Sequence, residues 1–273
     1  MEHAIKVKNI SKYFNKQKRI IDNLSFTIPK HSITLVKGQN GVGKSITLKL
    51  LAKLIPPTKG QIDCTYTISY TPDAFPKNIK LTVDAYLNYM LQLHKNKTNN
   101  LNNEDLNGLI DRFNLNSYRY TPLTQLSKGS LQKVNIIQCL LSNADILIFD
   151  EPFSGLDYST EHAFINYLSS LATNKTIILT AHNHTVENSI VTHVLDLNSK
   201  QLGAVQAKGH FKLKQISILN RDIAFPDEVQ QFVYSKTNSD NNVIVINVLK
   251  TESNQLLKSL INNNYEIIEV KEL

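Results

Sequence analysis

Two stretches of this 273-residue chain carry residue types that can do chemistry on a phosphate. The first is Gly38-Gln39-Asn40-Gly41-Val42-Gly43-Lys44-Ser45, a glycine, four residues, then Gly-Lys-Ser. Glycines at that spacing let successive backbone N–H groups turn into one concavity. A helix that begins there adds its unpaired N–H groups and the positive end of its dipole. In such a loop the Lys44 ammonium reaches the β- and γ-phosphates of a nucleotide, and the Ser45 hydroxyl is placed to ligate Mg²⁺. The second stretch is Asp150-Glu151, which closes the apolar run Ile146-Leu147-Ile148-Phe149. Neighbouring residues on an extended chain point to opposite sides, so the two carboxylates cannot duplicate one another. One is expected to face Mg²⁺ and the phosphates, the other to polarise an attacking water. The bland alternatives are a glycine-rich turn before an ordinary helix and a salt-bridged strand end.

These residues need a scaffold, and the flanking pattern supplies one. Ser32 to Val36 is a β-branched run that reads as a strand, and Ile46 to Ile55 is apolar at helical spacing. Ile146 to Phe149 is apolar throughout, as in a strand buried on both faces of a parallel sheet. Its C-terminal end is where open α/β sheets bind ligands. Residues 4–10 alternate as a half-buried strand, and a second strand is expected over 20–28 after a polar turn at 15–19. Tyr13 and Phe14 precede that turn; an aromatic there can stack on an adenine ring or serve the core. Pro56-Pro57-Thr58-Lys59-Gly60 ends the first helix. Beyond it the pattern predicts one strand over 61–70, a break at Thr71-Pro72-Asp73, and an amphipathic helix over 81–93 with Thr82 as N-cap and Ala85 at N3. Surface loops are expected at 94–103 and 118–122, with helices over 105–113, 131–141 and from Asp157 to about 172. Further strands are expected at 176–180 and 191–197. The last sixty or so residues read as strand (242–248), helix (251–260, capped by Thr251) and strand (265–270).

Composition narrows the class. With 41% hydrophobic residues the chain can bury one large domain, or one with a small appendage. Net charge is +7, a mild excess spread along the chain, which fits a solvated basic surface better than a dedicated nucleic-acid or membrane patch. Cys64 and Cys139 lie far apart without metal-ligand spacing, which argues against a disulfide scaffold and fits a reducing compartment. No apolar run approaches the roughly 20 residues a bilayer span requires, and Met1-Glu2-His3-Ala4-Ile5-Lys6 is not a secretory signal. A cytosolic location is expected, with another chain crossing any membrane at which this one works.

The ordered set of motifs resembles the nucleotide-binding subunit of ABC transporters, over about residues 4–205. Gly38 to Ser45 looks like Walker A. Leu126-Ser127-Lys128-Gly129-Ser130 resembles the family signature, and Ile146 to Glu151 resembles Walker B with its catalytic glutamate. Ser154-Gly155-Leu156-Asp157 matches the D-loop, and His182 matches the switch histidine. The resemblance implies an α/β P-loop NTPase core in residues 1–206, with an N-terminal antiparallel β subdomain and an inserted helical subdomain at about 74–142. A small α+β extension would occupy 207–273. It further implies that two subunits sandwich two ATP molecules with Mg²⁺. Gly38, Gln39, Asn40, Gly41, Val42, Gly43, Lys44, Ser45 and Ile46 would cradle the phosphates, and Ser127 and Gly129 of the facing subunit would touch the γ-phosphate. Phe14, rather than Tyr13, takes the adenine-stacking role, and Asp157 bridges the dimer. Ser45, Asp150 and Asp73 would serve the metal, Glu151 would activate water, Lys44 would hold the transferred phosphate, and His182 would sense the γ-phosphate. The partners implied are a separate transmembrane permease, with Ala74, Phe75, Tyr86 and Tyr89 as candidates for its docking groove, and a second ATPase subunit, identical or a paralogue. No nucleic-acid partner is expected. The subunit would sit on the cytoplasmic face of the cell membrane.

The departures matter. Asp73 stands where the family has Gln, Lys128 where it has Gly, Ser130 where it has Gln, and Ile46 where it has Thr. The strand–helix–strand tail resembles the extension of exporters in the drug and antimicrobial-peptide resistance branch, and the short D-loop region and the Thr71-Pro72-Asp73 step also look closer to that branch than to importers, which points to export; the role of the tail would be dimerisation, regulation or a passive cap. Two other classes stand beside that reading: a soluble ABC ATPase acting on nucleic acid or the ribosome, and a regulatory subunit that closes on ATP but hydrolyses it poorly.

Overall fold

The computed structural model describes residues 2–15, 18–76, 78–95, 103–181, 186, 189–205, 213–220, 225–230, 232–233, 235–239, 242–250 and 252–272. The chain divides into two compact units, one of Met1–Leu156 with Ala163–Lys208, the other of Asp157–His162 with Gly209–Leu273.

In the first unit, β1 (His3–Asn15) pairs antiparallel with β2 (Lys18–Pro29) and with β4 (Lys59–Asp63), in the order β2-β1-β4. The central sheet is built on β3 (Ile33–Lys37), β6 (Ile146–Phe149) and β7 (Thr176–Leu179). All residues of β6 and β7 are buried, as expected of strands covered on both faces. With β5 (Ile68–Thr71), β8 (His193–Asp196) and β9 (Gln201–Ala204), the order is β5-β6-β7-β3-β8-β9, parallel except for β9.

Helix α1 (Lys44–Leu51) lies between these two sheets. Its Leu48, Leu50 and Leu51 share one buried core with Ile5, Val7 and Ile28 of the antiparallel sheet and with Val36, Ile148 and Ile178 of the central one. Each such side chain contributes on the order of 1.5–3 kcal/mol of hydrophobic stabilisation. The helix that follows the glycine loop is therefore fixed from both sides, which is what a preformed phosphate cradle needs.

Helices α2 (Val83–Lys95), α3 (Asn103–Arg112) and α4 (Lys128–Leu140) follow β5. Thr82 caps α2 as expected, its Oγ1 accepting the Ala85 N–H at 3.2 Å. Helix α4 begins earlier than the apolar spacing predicts, because the Ser127 Oγ accepts the Ser130 N–H at 3.1 Å and opens the helix there. The single strand expected over 61–70 is two strands in different sheets. β4 pairs with β1 and β5 with β6, and between them the Asp145 carboxylate accepts from Thr67 N and Thr67 Oγ1 at 2.9 and 2.7 Å. Unbroken β-propensity hid the change of partner. The strand β9, antiparallel to β8, was not foreseen.

Helix α5 (Tyr158–Leu171) opens in the second unit and continues in the first. The second unit also holds β10 (Leu213–Leu219), α6 (Asp227–Gln230), β11 (Ser235–Ser239), β12 (Val243–Leu249), α7 (Ser253–Asn262) and β13 (Ile267–Glu272). Its sheet is antiparallel in the order β11-β12-β10-β13. Leu256 and Leu260 of α7 cover Ile216, Ile218, Ile244 and Ile246. The expected strand–helix–strand is thus the latter part of a four-stranded unit. Thr251, the expected cap of α7, lies outside the described residues, and Glu252 occupies the N-cap position.

Candidate functional site

The glycine loop joins β3 to α1, and its geometry follows from its residue types. Gly43 is the N-cap of α1 at φ 109°, in the left-handed region that other residues enter only with strain. A Cβ there would lie 2.8 Å from Ile21 Cδ1 and 3.0 Å from Ile20 Cγ2, so β2 presses directly on the loop. The Lys44 Nζ folds back and donates to the Gly38 carbonyl at 3.0 Å and to Asn40 Oδ1 at 3.4 Å. A cleft of about 650 Å³ opens over the loop, lined by Arg19, Ile20, Asn40, Gly41, Val42, Gly43, Lys44, Ser45, Ile46 and Glu151. The apolar Ile46 side stands in this lining, and the next hydroxyl, on Thr47, is fully buried and cannot replace the one Ile46 lacks.

The carboxylate end of the cleft is built from four separate parts of the chain. Asp150, 2% exposed, accepts from Thr180 Oγ1 on Oδ1 at 3.0 Å and from the Tyr70 hydroxyl on Oδ2 at 3.3 Å. Burial, followed by the negative charge of Asp150, pushes the Tyr70 phenol well above its ordinary value, so it stays a donor. Glu151 is not on an extended chain. β6 ends at Phe149, and Glu151 has φ 48°. Its N–H donates to Thr180 Oγ1 at 2.8 Å, and its carbonyl accepts from Ser154 N at 3.2 Å and from Gln132 Nε2 at 3.3 Å. The two carboxylates do occupy different surroundings, one buried and one on the cleft, but the left-handed turn at Glu151 separates them rather than strand alternation.

The structure thus brings Asn40, Gly41, Val42, Gly43, Lys44, Ser45, Ile46 and Glu151 onto one cleft, with Gly38 behind Lys44. Gln39 stands within the loop, its carbonyl accepting the Val42 N–H at 3.2 Å. Asp73 is exposed, and its charge is felt at Tyr70. Ser127 and Gly129 start α4 and do not line this cleft. A Cβ on Gly129 would lie 2.2 Å from the Gly155 carbonyl oxygen, so this glycine is required by the D-loop of its own chain. Lys128 donates to Ser154 Oγ at 3.1 Å. Asp157 accepts from Thr160 N and Thr160 Oγ1, both at 2.9 Å, and caps α5. His182 and the side chain of Phe14 lie outside the described residues. Tyr13 faces Arg19, whose Cζ lies 5.5 Å from the ring centroid. Of the groove candidates, Phe75 and Tyr86 are buried and pack edge to face at 5.4 Å, while Ala74 and Tyr89 are exposed.

Sequence reasoning missed Thr180, Tyr70, Gln132, Arg19 and Ile20. Nothing in a single chain singles out Thr180 among the β-branched residues of β7 that precede it. Arg19 did carry a signal, a cation beside the aromatic pair at a turn near the loop.

A parallel sheet with a glycine loop on a helix N-terminus and a carboxylate pair just past the end of β6, one strand removed from β3, defines a phosphate-loop nucleotide-binding protein. A family model described as ABC transporter matches residues 21–154. An uncharacterised ABC transporter ATP-binding protein of Methanocaldococcus jannaschii is 33% identical over 183 residues, 67% of this chain and 69% of that one. The zinc import ATP-binding protein ZnuC of Rickettsia conorii is 31% identical over 185 residues, 66% of this chain and 76% of the relative. The chain belongs to the ATP-binding subunits of ABC transporters, and it is an ATPase of that family. Among solved structures, an ATP-binding cassette dimer in a post-hydrolysis state with ADP and Pi superposes with a TM-score of 0.65 at 20% identity, covering 76% of this chain and all of that one. An ATP-bound bacterial Atm1-family exporter gives 0.63 at 20% identity over 74% of this chain and 39% of that one. Both share the fold.

Proposed function

We propose that this chain hydrolyses ATP to drive a separate membrane-spanning permease from the cytoplasmic face of the membrane, and that it works as one of a pair of subunits. The observation that carries this reading is the shared cleft, whose lining brings Lys44, Ser45 and Glu151 together. The loop N–H groups and Lys44 bind and orient the triphosphate. Lys44, already hooked over Gly38, exchanges that carbonyl for phosphate oxygens. Glu151 accepts the proton of the attacking water. Ser45 and Asp150 are oxygen donors of the kind Mg²⁺ takes and would hold it, Asp150 through water. When bound, Mg²⁺ neutralises charge on the phosphates. Asp73 is a third metal candidate, His182 the γ-phosphate sensor, Phe14 the adenine stacker, and Ser127, Gly129 and Asp157 contribute across the subunit pair.

The direction of transport has two readings. Export rests on the pattern of the tail, the short D-loop region and the Thr71-Pro72-Asp73 step. Import is favoured by the relatives whose names state a direction, including a zinc uptake system ATP-binding protein of Listeria monocytogenes, 29% identical over 219 residues, 73% of this chain and 84% of that one. Those relatives make a zinc ion the first cargo to try.

The test of the engine is size in solution with Mg-ATP for wild type and Glu151→Gln. The variant is expected to accumulate ATP-dependent dimers; a variant that stays monomeric and still hydrolyses ATP would overturn the role of Glu151. Zinc uptake by vesicles holding the subunit with its permease separates the two directions.

A further inference from the structure

The backbone of Glu151 needs a cause for its shape. A residue other than glycine in the left-handed region costs roughly 1–2 kcal/mol, and such strain persists only where the surroundings over-determine it. Glu151 sits at φ 48°. Its amide is held by one atom, Thr180 Oγ1, at 2.8 Å. The same oxygen lies 3.0 Å from Asp150 Oδ1. A carboxylate can only accept, so the hydroxyl proton goes to Asp150 and a lone pair is left for the Glu151 amide. Thr180 is fully buried and Asp150 is 2% exposed, so no bulk water competes for the bond between them. The arrangement has a fixed sense, and no other common side chain of that volume both donates and accepts from one atom.

We infer that Thr180 is a positioning residue for hydrolysis, whose single hydroxyl sets the catalytic carboxylate of Glu151 against Asp150. The inference rests on the reading of Glu151 as the base. Without the hydroxyl, the half-buried Glu151 amide loses that partner, the left-handed turn is left to its carbonyl contacts with Ser154 N and Gln132 Nε2, and the Glu151 side chain shifts from its place on the cleft. The loop from Gly38 to Ser45, which carries the phosphate contacts, has no bond to Thr180, and Asp150, the metal candidate that Thr180 does touch, keeps its Tyr70 bond on Oδ2 in the variant. The loss should therefore fall on turnover and spare affinity.

Thr180→Val keeps the volume and removes the hydroxyl; Thr180→Ser keeps the hydroxyl. Each is made in the full chain with its permease, next to Glu151→Gln, and compared by kcat, by KM and by binding of a fluorescent ATP analogue. Thr180→Val is expected to lower kcat about 10- to 100-fold, as a misplaced catalytic group does. Its analogue affinity should stay within about threefold of wild type, so that the loss is confined to the transition state. Thr180→Ser should recover most of the rate. Equal kcat in wild type and Thr180→Val, equal damage in Thr180→Val and Thr180→Ser, or a fall in affinity that matches the fall in kcat would each overturn the inference. If Thr180→Val does not fold, Thr180→Ala takes its place in the same comparison. Retained hydrolysis in Glu151→Gln would instead sink the underlying reading of the base, whatever the threonine variants do.

Discussion

The two walls of the cleft are made in opposite ways. The phosphate loop is local. Gly38, Asn40, Gly43 and Lys44 lie within seven positions of sequence, and the lysine hooks onto its own loop. The carboxylate wall is collected from afar. Tyr70 reaches Asp150 across 80 positions, Thr180 reaches it across 30, and Gln132 reaches Glu151 across 19. A local device can be recognised as a string of letters, and its failure should show in binding. A collected device depends on the whole sheet holding its strands in register, and its failure should show in turnover.

The largest expected separation of these two roles is Glu151→Gln against Lys44→Ala. Removing the proposed base while keeping its shape should cost about 10²–10⁴-fold in hydrolysis rate, with nucleotide affinity near that of wild type. Removing the lysine should cost affinity first, by about 10- to 100-fold, the worth of charge-assisted hydrogen bonds. Steady-state hydrolysis and equilibrium nucleotide binding on both variants check this. If Lys44→Ala bound nucleotide as tightly as wild type, the division of labour between the walls would collapse.

The same contrast explains what was legible in the sequence. Gly38 to Ser45 could be read because glycine spacing, a β-branched run before it and helical spacing after it all describe one short segment. Asp150 and Glu151 could be read as a pair, yet not how they diverge, because the turn at Glu151 is imposed by Thr180, Ser154 and Gln132 from outside the segment. The strand expected over 61–70 failed for a related reason: propensity reports that residues are extended and is silent on which neighbour they pair with. In the second unit, β12 was visible from Val243, Ile244, Val245 and Ile246. β11 is Ser-Lys-Thr-Asn-Ser and has no apolar pattern to find. It becomes a strand because β12 offers it a ladder.

Between these extremes stands Gly129, conspicuous as a motif glycine but held by a distant contact. Gly129→Ala would set its Cβ 2.2 Å from the Gly155 oxygen, with backbone on both sides and no flexible side chain to yield. Overpacking of this kind costs roughly 1–3 kcal/mol, which in a protein of this size lowers the thermal midpoint by about 2–4 °C per kcal/mol. A variant as stable as wild type would show that the start of α4 and the D-loop part easily. In that case the proposed phosphate contact, and not the Gly155 contact, would be the demand on Gly129.

The smallest expected effect is at Tyr70, and it tests whether the collected wall is one network or several contacts. Tyr70→Phe removes the hydroxyl that donates to Asp150 Oδ2 at 3.3 Å and leaves the Thr180 bond to Oδ1 intact. A long bond of this kind is worth about 0.5–1.5 kcal/mol, so turnover should fall by less than in Thr180→Val, and affinity should not change. Burial and the Asp150 charge raise the Tyr70 phenol above its ordinary value of 10.0 in the folded state. A group whose folded pKa is raised holds its proton longer in the native state than in the unfolded chain. Its contribution to stability is complete below pH 10 and is lost as pH rises beyond it. Wild type should therefore lose stability through this group above about pH 10, and Tyr70→Phe should lack that part of the alkaline decline. Unfolding midpoints of the two proteins between pH 8 and pH 11 decide it. Parallel curves would mean that the phenol ionises as freely in the fold as outside it, and that Asp150 is oriented by Thr180 alone.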